Sequence, residues 1–370
     1  MRKKSLLFVL GMVLVAALAL SACAPAAAPA AEAPAAEAPA AEAPAAEEPE
    51  PVPSTRKGGW LDEIVYSVID SDSAITQLEA GAIDIYANGL SSADLPALKE
   101  SGLPYSTNNG LYYDILYNPA VFSDGRINPF TSRKIREATN WLFDRSYLNQ
   151  EIYNGGALEK FFAIQTQGPD YVDLIDVARR LETYYAYDLE KAREVIAAEM
   201  EALGATLVDG KWNDSKGPIT LIGIIRNDSD GTRIPMGEYV AAQFEAVGFT
   251  VDRQLKTGGE ASPIWIGSIP EDGLWHWYTA AWSASIIDRD EANIFQEMYL
   301  PSSQQGIPAW YSNVPDPEFQ ELGDNLYAAV YDNLEQRREM MARAMELSWQ
   351  DSLQVFLIDG KGYIPYQENV

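Results

Sequence analysis

The sequence is almost without cysteine and histidine: it contains one of each, Cys23 and His276, among 370 residues. A single cysteine excludes disulfide bonds within the chain, and the two counts exclude metal sites built from several histidine or cysteine ligands. A Ser-His-Asp triad would have to use His276. A lone histidine in the run Trp-His-Trp-Tyr is more often a packed or ligand-facing ring than a catalyst.

Nucleotide-binding and calcium-binding motifs are also absent. No GxxxxGK[ST] and no GxGxxG follows a predicted strand, so nothing supports a bound nucleotide. The segment 227–231 resembles part of a calcium loop, but the first and twelfth loop positions would then be Arg226 and Gly237, which supply no carboxylate. Carboxylate pairs of glycosidase type occur by chance in so acidic a chain and indicate no catalysis. We therefore expect a non-enzymatic protein with no metal and no cofactor.

Basic side chains are scarce, with 27 Lys and Arg against 54 Asp and Glu and a net charge of −27. Without the basic residues at 2–4 and the six glutamates of residues 24–55, 24 basic and 48 acidic side chains remain. Binding to nucleic acid relies on basic side chains that displace counterions from phosphates, so DNA and RNA are not expected partners. The acidic excess indicates either the solvation of an exported protein or a preference for cationic ligands.

The N-terminal segment has the layout of an export signal. Basic residues at 2–4 precede an apolar run over residues 6–20, which is shorter than the about 20 apolar residues of a spanning helix. The run ends in Leu-Ser-Ala-Cys at 20–23, which resembles the bacterial lipobox and implies a signal peptide over residues 1–22 and a lipidated Cys23. An uncleaved anchor is the alternative. Either would tether the chain to the outer face of the cytoplasmic membrane.

The segment after Cys23 is of low complexity. Residues 24–55 repeat Ala-Pro-Ala-Ala-Glu and contain nothing aromatic and nothing basic. Such a segment cannot bury enough apolar area to offset its ordering entropy, and its prolines favour extended polyproline II at about 3.1 Å per residue. We predict a linker over residues 23–57 that holds a domain up to roughly 100 Å from the membrane. A glycosylated stalk or a wall-spanning segment is the alternative.

The rest of the chain alternates strand and helix patterns, which indicates an α/β fold. The predicted strands cover residues 61–69, 83–86, 104–107, 111–118, 219–225, 249–255, 274–282 and 353–358. The predicted helices cover about 74–80, 92–101, 133–142, 188–203, 233–247, 288–299, 317–331 and 334–349. Residues 219–255 form a βαβ unit, whose two strands are expected to be parallel.

The stretch 111–148 is the predicted centre of the fold. An aromatic and aliphatic strand with the single charge Asp114 ends at Asn118-Pro119, because proline lacks an N–H and restricts the residue before it. Thr131 or Ser132 then caps a helix. Its apolar face consists of Ile135, Ala138 and Leu142.

Three groups of motifs occur in a specific order. They are Leu-x-Ala-Gly-x-Ile-Asp at 78–84, then Tyr117-Asn118 with Phe130, Arg136-Glu137-Ala138 and Phe143-Asp144-Arg145, and finally Tyr-Asp-x-Glu-Lys-Ala at 187–192. Together they resemble family 5 of the extracellular solute-binding proteins, the peptide, nickel and oligosaccharide receptors of ABC importers. The alternative for the second group is an ordinary strand and amphipathic helix pair. The resemblance implies a type II periplasmic-binding-protein fold of two lobes, with a solute-binding cleft between them.

The candidate binding residues are mostly aromatic. Trp275 and Trp277 share one face of a strand, and with Trp265, Trp282 and the tyrosines of 111–118 they form either a cleft wall or core packing. The segment 281–288 resembles a family segment whose tryptophan lines the cleft and whose aspartate meets the amino terminus of a peptide. Ser285 stands where that aspartate is expected, which leaves a peptide ligand open. The predicted ligand-binding residues are Tyr113, Tyr117, Asn118, Trp275, Trp277, Trp282, Ser285 and Asp288.

The resemblance also implies a division of the chain. We expect residues 58–118 and 353–370 to form a partial first lobe and residues 119–352 a second lobe, with hinges near Asn118 and Leu353. The expected protein is a monomeric, lipid-anchored receptor that passes a peptide or oligosaccharide to ABC permease subunits. A natural short form, a split gene and a truncated reading frame all fit this division. The rival functions are a fragment without a competent cleft and a secreted carbohydrate-acting enzyme.

Overall fold

The computed structural model describes residue 61 and residues 63–228, 231–283 and 290–370. The predicted signal peptide and linker, including Cys23, lie outside these residues. The chain divides into two units, residues 1–66 and 67–370. The described residues of the first unit form no helix or strand. Where the structure describes the chain, no helix is both long enough and apolar enough to cross a membrane.

Helices and strands alternate through the second unit. The α-helices are α1 Ser71–Glu79, α2 Leu95–Ser101, α3 Arg133–Leu142, α4 Arg145–Tyr147, α5 Pro169–Asp173, α6 Ile175–Tyr184, α7 Leu189–Ala202, α8 Arg233–Ala246, α9 Gly258–Trp265, α10 Ile294–Tyr299, α11 Pro308–Tyr311, α12 Pro317–Tyr327 and α13 Leu334–Asp351. The strands are β1 Tyr105–Tyr117, β2 Leu158–Glu159, β3 Thr206–Val208, β4 Lys211–Asp214, β5 Gly217–Pro218, β6 Thr220–Arg226, β7 Thr250–Lys256, β8 Trp277–Ser283 and β9 Gln354–Pro365.

One mixed sheet of six strands organises the fold, in the order β2-β9-β1-β8-β6-β7. Strand β1 is antiparallel to both β8 and β9, whereas β6 is parallel to both β7 and β8. A separate sheet of three short strands has the order β3-β4-β5. The predicted α/β class is therefore confirmed.

The end of strand β1 and the whole of helix α3 follow the sequence prediction closely, whereas the two strands predicted at 104–107 and 111–118 form one continuous strand. The side chains from Tyr112 to Tyr117 are buried, and the strand ends before Asn118-Pro119. The Ser132 hydroxyl accepts a hydrogen bond from the Ile135 N–H at 3.4 Å and caps α3. The predicted apolar face of α3 is wholly buried.

The predicted βαβ unit is also confirmed. Strand β6, helix α8 and strand β7 follow one another, and β6 pairs with β7 in parallel from Thr220 opposite Thr250 to Arg226 opposite Lys256. Helix α8 buries Met236, Val240 and Phe244 at a spacing of four residues, which places an apolar stripe on one helix face. This unit and β8 form one half of the sheet.

The second unit contains two hydrophobic cores of very different size. The small core consists of Ala74, Leu78, Tyr86, Leu90, Leu95, Leu98 and Tyr363. The large core runs from Tyr112 to Ile358 and includes the side chains of β1 and β9 at 112–113, 115–117 and 355–358. Strands β1 and β9 continue past the large core and pair with each other as far as Tyr105 opposite Pro365. The division into two lobes at residues 118 and 353 stays a prediction.

Two of the predicted strands do not form. The predicted strand at 61–69 is irregular over its described residues, and Val68 is fully exposed. A strand needs a hydrogen-bonded neighbour, and within the described residues this segment pairs with none. The predicted strand at 83–86 is reduced to a single bridge between Ile85 and Tyr366. The three-stranded sheet at residues 206–218 was not predicted, because its strands are too short to show a periodic pattern.

Candidate functional site

Two cavities lie side by side at the carboxyl end of β8. The first, of about 630 Å³, is called here the aromatic cavity, and the second, of about 620 Å³, the amide cavity. The aromatic cavity is lined by Tyr112, Ala163, Gln165, Trp282, Ser283, Asp290, Glu291, Asn293, Ile294, Glu297, Met298 and Gln305. Ser283 lines both cavities, so they meet at the last residue of β8.

The wall of the aromatic cavity is a cross-strand pair of rings. Tyr112 on β1 lies directly opposite Trp282 on β8, so both side chains project from the same face of the sheet. The Trp282 ring packs edge-on against Trp265 at 6.5 Å and against Trp310 at 6.0 Å between centroids. These contacts fix the orientation of the indole before any ligand arrives.

The opposite rim of the aromatic cavity is acidic and is held by a hydrogen-bond network. Arg337 on α13 binds Asp170 with both terminal nitrogens, at 2.8 and 2.9 Å, and binds Asp290 at 2.6 Å. The Glu291 N–H donates to Asp170 at 2.7 Å. The Glu291 carboxylate in turn accepts a hydrogen bond from the Gln165 N–H at 3.1 Å. The network therefore joins helices α5 and α13 to the residues that line the cavity.

A buried carboxyl group lies next to the aromatic wall. Asp114 is two residues from Tyr112 on β1, on the same face, and is wholly buried. Among the described residues, neither of its oxygens accepts a hydrogen bond of good geometry, and the Trp282 side chain is a donor close enough to affect its pKa. Burial raises the pKa of Asp114 to about 8, and Arg233, the Trp282 side chain and Lys160 act in the opposite direction.

The amide cavity lies between the small and large cores. Its lining consists of Asn88, Gly89, Leu90, Ser91, Ser92, Asn108, Asn109, Leu111, Tyr113, Tyr153, Ser283, Gly360, Lys361 and Gly362. Leu90 belongs to the small core and Tyr113 to the large core. Amide and hydroxyl groups dominate this lining, and they can both donate and accept hydrogen bonds.

The structure brings some of the predicted site residues to these cavities. Tyr113 lines the amide cavity and Trp282 lines the aromatic cavity. Ser285 and Asp288 lie outside the described residues. The remaining four predicted residues line neither cavity, because each is buried in the large core or in the loop next to it.

Tyr117 and Asn118 have structural roles. The Tyr117 ring stacks on Phe130 at 4.3 Å, and its hydroxyl donates to Thr139 Oγ1 at 2.9 Å. The Asn118 Nδ2 donates to the carbonyl oxygens of Pro270 and Trp275, at 2.9 and 3.0 Å. Asn118 therefore joins the end of β1 to the segment that precedes β8, and its assignment to a ligand site stays a prediction.

Trp275 and Trp277 are also buried in the core rather than presented together on a cleft wall. Strand β8 lies in the middle of the sheet, and its first four residues, 277–280, are buried on both faces. The Trp277 ring packs over Gly223 of β6, where a Cβ atom would overlap the indole, and against Phe244 of α8. Exposure begins only at Ala281, so the cavity end of β8 presents Trp282 and not Trp277.

His276 is a packed ring, one of the two placements that the sequence predicted. Its Nδ1 accepts a hydrogen bond from the Ile222 N–H at 3.0 Å, and its ring lies edge-on to Phe122 at 4.9 Å. Burial, together with the nearby charge of Arg126, lowers the pKa of His276 to about 3. It directly precedes β8 and so lies at the opposite end of that strand from Trp282.

Sequence reasoning missed the acidic rim. Glu291 and Glu297 carry no motif in an acidic chain, and the Arg337 network joins segments more than 40 residues apart in sequence. Asp114 offered a signal, because it is the one charge in an aromatic strand. No grouping of three or more His, Cys, Asp or Glu side chains suited to a metal ion occurs among the residues that the structure describes.

The sequence matches a family profile over residues 55–304, more than half of the chain. The profile describes bacterial extracellular solute-binding proteins, family 5, middle region. A comparison with curated proteins finds no match.

Solved structures of this type share the fold. The oligopeptide-binding protein AppA from Bacillus subtilis, in complex with a nonapeptide, has a TM-score of 0.61 and 18% identity over 81% of this chain and 55% of its own. NikZ from Campylobacter jejuni, in complex with Ni(L-His), has a TM-score of 0.59 and 14% identity over 81% and 55%. CtaP from Listeria monocytogenes, an ABC transporter substrate-binding protein, has a TM-score of 0.61 and 16% identity over 80% and 53%.

The chain thus spans about half the length of the structures it matches. At these identities the structural likeness concerns the fold, and the family is shown by the match of the profile to most of the chain. The chain belongs to family 5 of the bacterial extracellular solute-binding proteins.

Proposed function

We propose that this protein is the substrate-binding component of an ABC importer, which captures a solute in the two cavities and passes it to permease subunits. The observation that carries this proposal is Ser283, which lines both cavities at the end of β8. A solute that occupies both would contact the small core and the large core together. Closure around the solute, rather than a chemical step, is the proposed mechanism.

The lining favours an oligomeric, polar solute such as a peptide or an oligosaccharide. Aromatic rings on one side provide a large contact area with little loss of side-chain entropy, and asparagine and serine side chains on the other pair with amide or hydroxyl groups. Each cavity is large enough for several heavy atoms of a small solute. The protein acts as a monomer in this proposal.

We place the hinge in the strands that join the two cores. Strands β1 and β9 change register between Asn109 and Leu111, and Gly360 pairs with Leu111 at this point. A bulge locally weakens the ladder and bends the strand. The sequence-based hinge near Asn118 is less suited, because the side chain of that residue makes hydrogen bonds to two other segments.

A lipid anchor on Cys23 would place the receptor on the outer face of the cytoplasmic membrane. The lipobox-like residues 20–23 support this proposal. Cys23→Ala should release the protein into the medium or block its maturation, since stable anchoring depends on the attached acyl chains. Fractionation and the mass of the mature chain measure the outcome. A variant that stays membrane-bound at full mature size would contradict the anchor.

Ligand binding tests the receptor function directly. The full chain, purified from membranes in detergent, is examined by native mass spectrometry for retained solutes and is titrated with tripeptides and trisaccharides while intrinsic fluorescence is recorded. Trp282→Ala should weaken the tightest ligand by about 1–3 kcal/mol, the range for removal of a stacked ring from a buried contact. Tyr311→Ala, at a ring that is 57% exposed and lines neither cavity, is the matched control.

A fragment without a competent cleft is the second candidate. Its support is the small core of seven buried apolar residues, together with the half-length match to solved structures. In that case neither the tripeptides nor the trisaccharides would bind, and titration of the Trp282→Ala and Tyr311→Ala variants would give the same result, no binding. Solute-dependent uptake that requires both this protein and the permease would exclude the fragment.

A further inference from the structure

We infer that Lys160 is a positioning residue for the aromatic cavity, because its buried ammonium joins two walls of that cavity, the Tyr112 ring and the segment 163–165. Lys160 is not part of the cavity lining, so it acts through the residues that it holds. Its effect on the affinity of a solute rests on the proposed function, whereas its effect on the two walls is a property of the free protein.

The backbone of Lys160 is anchored independently of its side chain. Its N–H donates to the carbonyl oxygen of Leu357 on β9 at 3.0 Å, and its own carbonyl oxygen accepts a hydrogen bond from Arg145 Nε at 2.9 Å. Replacement of the side chain should therefore leave this backbone in place and remove only the contacts of the ammonium and its stem.

The ammonium contacts both walls. Nζ donates to the carbonyl oxygen of Ile164 at 2.9 Å, and it lies 4.5 Å from the centroid of the Tyr112 ring and 5.8 Å from that of Phe356. Lys160 is 1% exposed, and within the described part of the chain no carboxylate forms an ion pair with it. Because ring faces attract ammonium ions, one cation holds both a ring of β1 and a backbone carbonyl of the segment 163–165.

The peptide group between Ile164 and Gln165 is held at both ends. Its carbonyl oxygen accepts from the Lys160 ammonium, and its N–H donates to the Glu291 carboxylate at 3.1 Å. Residues 161–168 form no helix or strand, so no regular backbone ladder fixes this peptide group. Without the ammonium its carbonyl end is released, and the cavity wall loses one of its two supports.

The charge of Lys160 has a cost that packing does not require. Burial of an ammonium costs free energy that an apolar side chain of similar length would avoid. Burial lowers the pKa of Lys160 to about 8, and the carboxylates of Asp359, Glu291 and Asp114 act in the opposite direction. The side chain is therefore charged at neutral pH. A charge that is kept at this cost indicates that the ammonium orients the walls rather than fills space.

The two walls determine what a solute in the aromatic cavity contacts. Tyr112 lies opposite Trp282 on the neighbouring strand, and both residues line the cavity together with Gln165. Walls that are already ordered bind more tightly than walls that become ordered when the solute arrives. A neutral side chain at residue 160 should therefore weaken a solute without removing any group that touches it.

Hydrogen exchange of the free, full chain tests the position of the walls. Lys160→Met keeps an apolar stem and removes the ammonium, so the amides of Gln165 and Gly168 should exchange at least about tenfold faster at neutral pH. The Gly168 N–H donates to the Gln165 carbonyl oxygen at 2.9 Å and so reports on the same segment. Mass spectrometry of peptides that contain residues 163–168 gives the rates.

Lys211→Met is the matched control. Lys211 Nζ also donates to a backbone carbonyl oxygen, that of Phe249 at 2.7 Å, and Lys211 lines neither cavity. This substitution should leave the exchange of Gln165 unchanged. Lys160→Gln, which keeps a polar end without the charge, is a second variant in case methionine prevents folding, and it should accelerate exchange in the same way.

A pH profile separates the charge of Lys160 from the packing of its stem. The wild-type ammonium loses its proton as pH rises through about 8. The ratio of the exchange rates in Lys160→Met and in the wild type should fall from at least about tenfold at neutral pH to within about threefold at about pH 9.5, since a neutral amine makes only a weaker hydrogen bond. A constant ratio, no acceleration in either Lys160 variant, or equal acceleration by Lys211→Met overturns the inference.

Calorimetric titration with trialanine and maltotriose tests the consequence for binding. For a probe whose affinity falls in Trp282→Ala, Lys160→Met should weaken binding by about three- to tenfold at neutral pH, and Lys211→Met by less than about twofold. Faster exchange of Gln165 with unchanged affinity for such a probe would overturn the effect on solute binding. If neither probe binds, the receptor function loses its support, and the exchange rates alone decide whether Lys160 positions the two walls.

Discussion

Arg337 donates hydrogen bonds from both terminal nitrogens to the Asp170 carboxylate, at 2.8 and 2.9 Å. The pair is nearly buried, since its side chains are only 10% and 7% exposed. The hydrogen bonds that Arg337 donates to Asp170 raise the pKa of Arg337 above its usual range. The same arginine reaches Asp290, and Asp170 also holds the Glu291 N–H. The pair therefore sets the position of the acidic rim of the aromatic cavity.

Arg337→Met should destabilise the protein by about 3–5 kcal/mol, because it leaves the Asp170 carboxylate buried without its cation. The free energy of unfolding is measured by urea denaturation at neutral pH. The variant should also lose affinity for any ligand of the aromatic cavity, since Asp290 and Glu291 lose their support.

Arg343→Met is the matched control on the same helix. Arg343 also binds a carboxylate with two nitrogens, both at 2.7 Å to Glu318, but these side chains are 41% and 50% exposed. Exposed pairs contribute about 0–1 kcal/mol. Equal destabilisation by the two substitutions would show that burial of the Arg337 pair has no special effect.

Gly223→Ala should destabilise the protein by about 1–3 kcal/mol, the usual cost of overpacking a core. A Cβ atom at this position would overlap the Trp277 indole. The double variant Gly223→Ala with Trp277→Phe should cost less than the sum of the two single changes, because the smaller ring removes the overlap. Gly259→Ala is the control, since a Cβ there meets nothing within 4 Å. Thermal or urea unfolding of the four variants gives the comparison.

The parts of the fold that the sequence predicts well have long periodic patterns and clear boundaries. Helix α7 begins after Asp188, whose side chain accepts from the Lys191 N–H at 3.0 Å, and Ala192, Ile196 and Met200 are buried at a spacing of four. The irregular segment at 63–70 has an equally apolar sequence but no partner strand among the described residues. Propensity alone does not supply that partner.

The site is harder to predict, because aromatic residues serve both cores and binding walls. Trp277 and Trp282 are in one short strand and look alike in sequence. The structure distinguishes them by burial. Strand β8 lies between β1 and β6, and its first four residues are buried, whereas its last three are partly or fully exposed. The buried network of Arg337 arises from tertiary contacts that no local pattern encodes.

His276 should make stability fall in acid. Its pKa is about 3 in the folded protein because of burial, against about 6.5 in an unfolded chain. The unfolded state therefore binds more protons between these values, and the contribution of His276 is complete above pH 6.5 and lost as pH falls towards 3. Relative to His276→Asn, whose Oδ1 can accept the Ile222 N–H, the wild type should lose about 1.4 kcal/mol per unit from pH 6 to 4.5. If the free energies of unfolding of the wild type and of His276→Asn change with pH in parallel, the His276 imidazole is charged in the folded state.

Asp114 should have the opposite effect, so that stability falls as pH rises. Burial raises its pKa to about 8 in the folded protein, against about 3.9 when unfolded, so its contribution is complete below pH 4 and lost as pH rises towards 8. Relative to Asp114→Asn, the wild type should lose about 1.4 kcal/mol per unit between pH 5 and 7. Because the slopes of Asp114 and His276 have opposite signs and cancel between about pH 5 and 6, the wild type alone would show neither effect there. Urea denaturation of the Asp114→Asn and His276→Asn variants at several pH values separates the two effects. If the difference in unfolding free energy between the wild type and Asp114→Asn does not change with pH, the Asp114 carboxylate is ionised in the folded state.

The two cores should differ in local stability. Helix α1 contributes only Ala74 and Leu78 to the small core, whereas α3 buries seven of its ten residues. Local opening requires less free energy where fewer apolar contacts break. We expect amides in the last turn of α1, such as that of Leu78, to exchange hydrogen at least about 100-fold faster than that of Thr139 in α3.

A solute in the amide cavity should reduce the difference in hydrogen-exchange rate between α1 and α3. Leu90, in the small core, and Ser92 line that cavity, and a bound solute would hold them against Tyr113. Binding adds stabilisation that depends on ligand concentration over dissociation constant. Exchange measured by mass spectrometry, with and without the tightest solute, tests both statements. Equal protection of α1 and α3 in the free protein would show that the two cores open together, as one cooperative unit, and closure would then require a hinge outside β1 and β9.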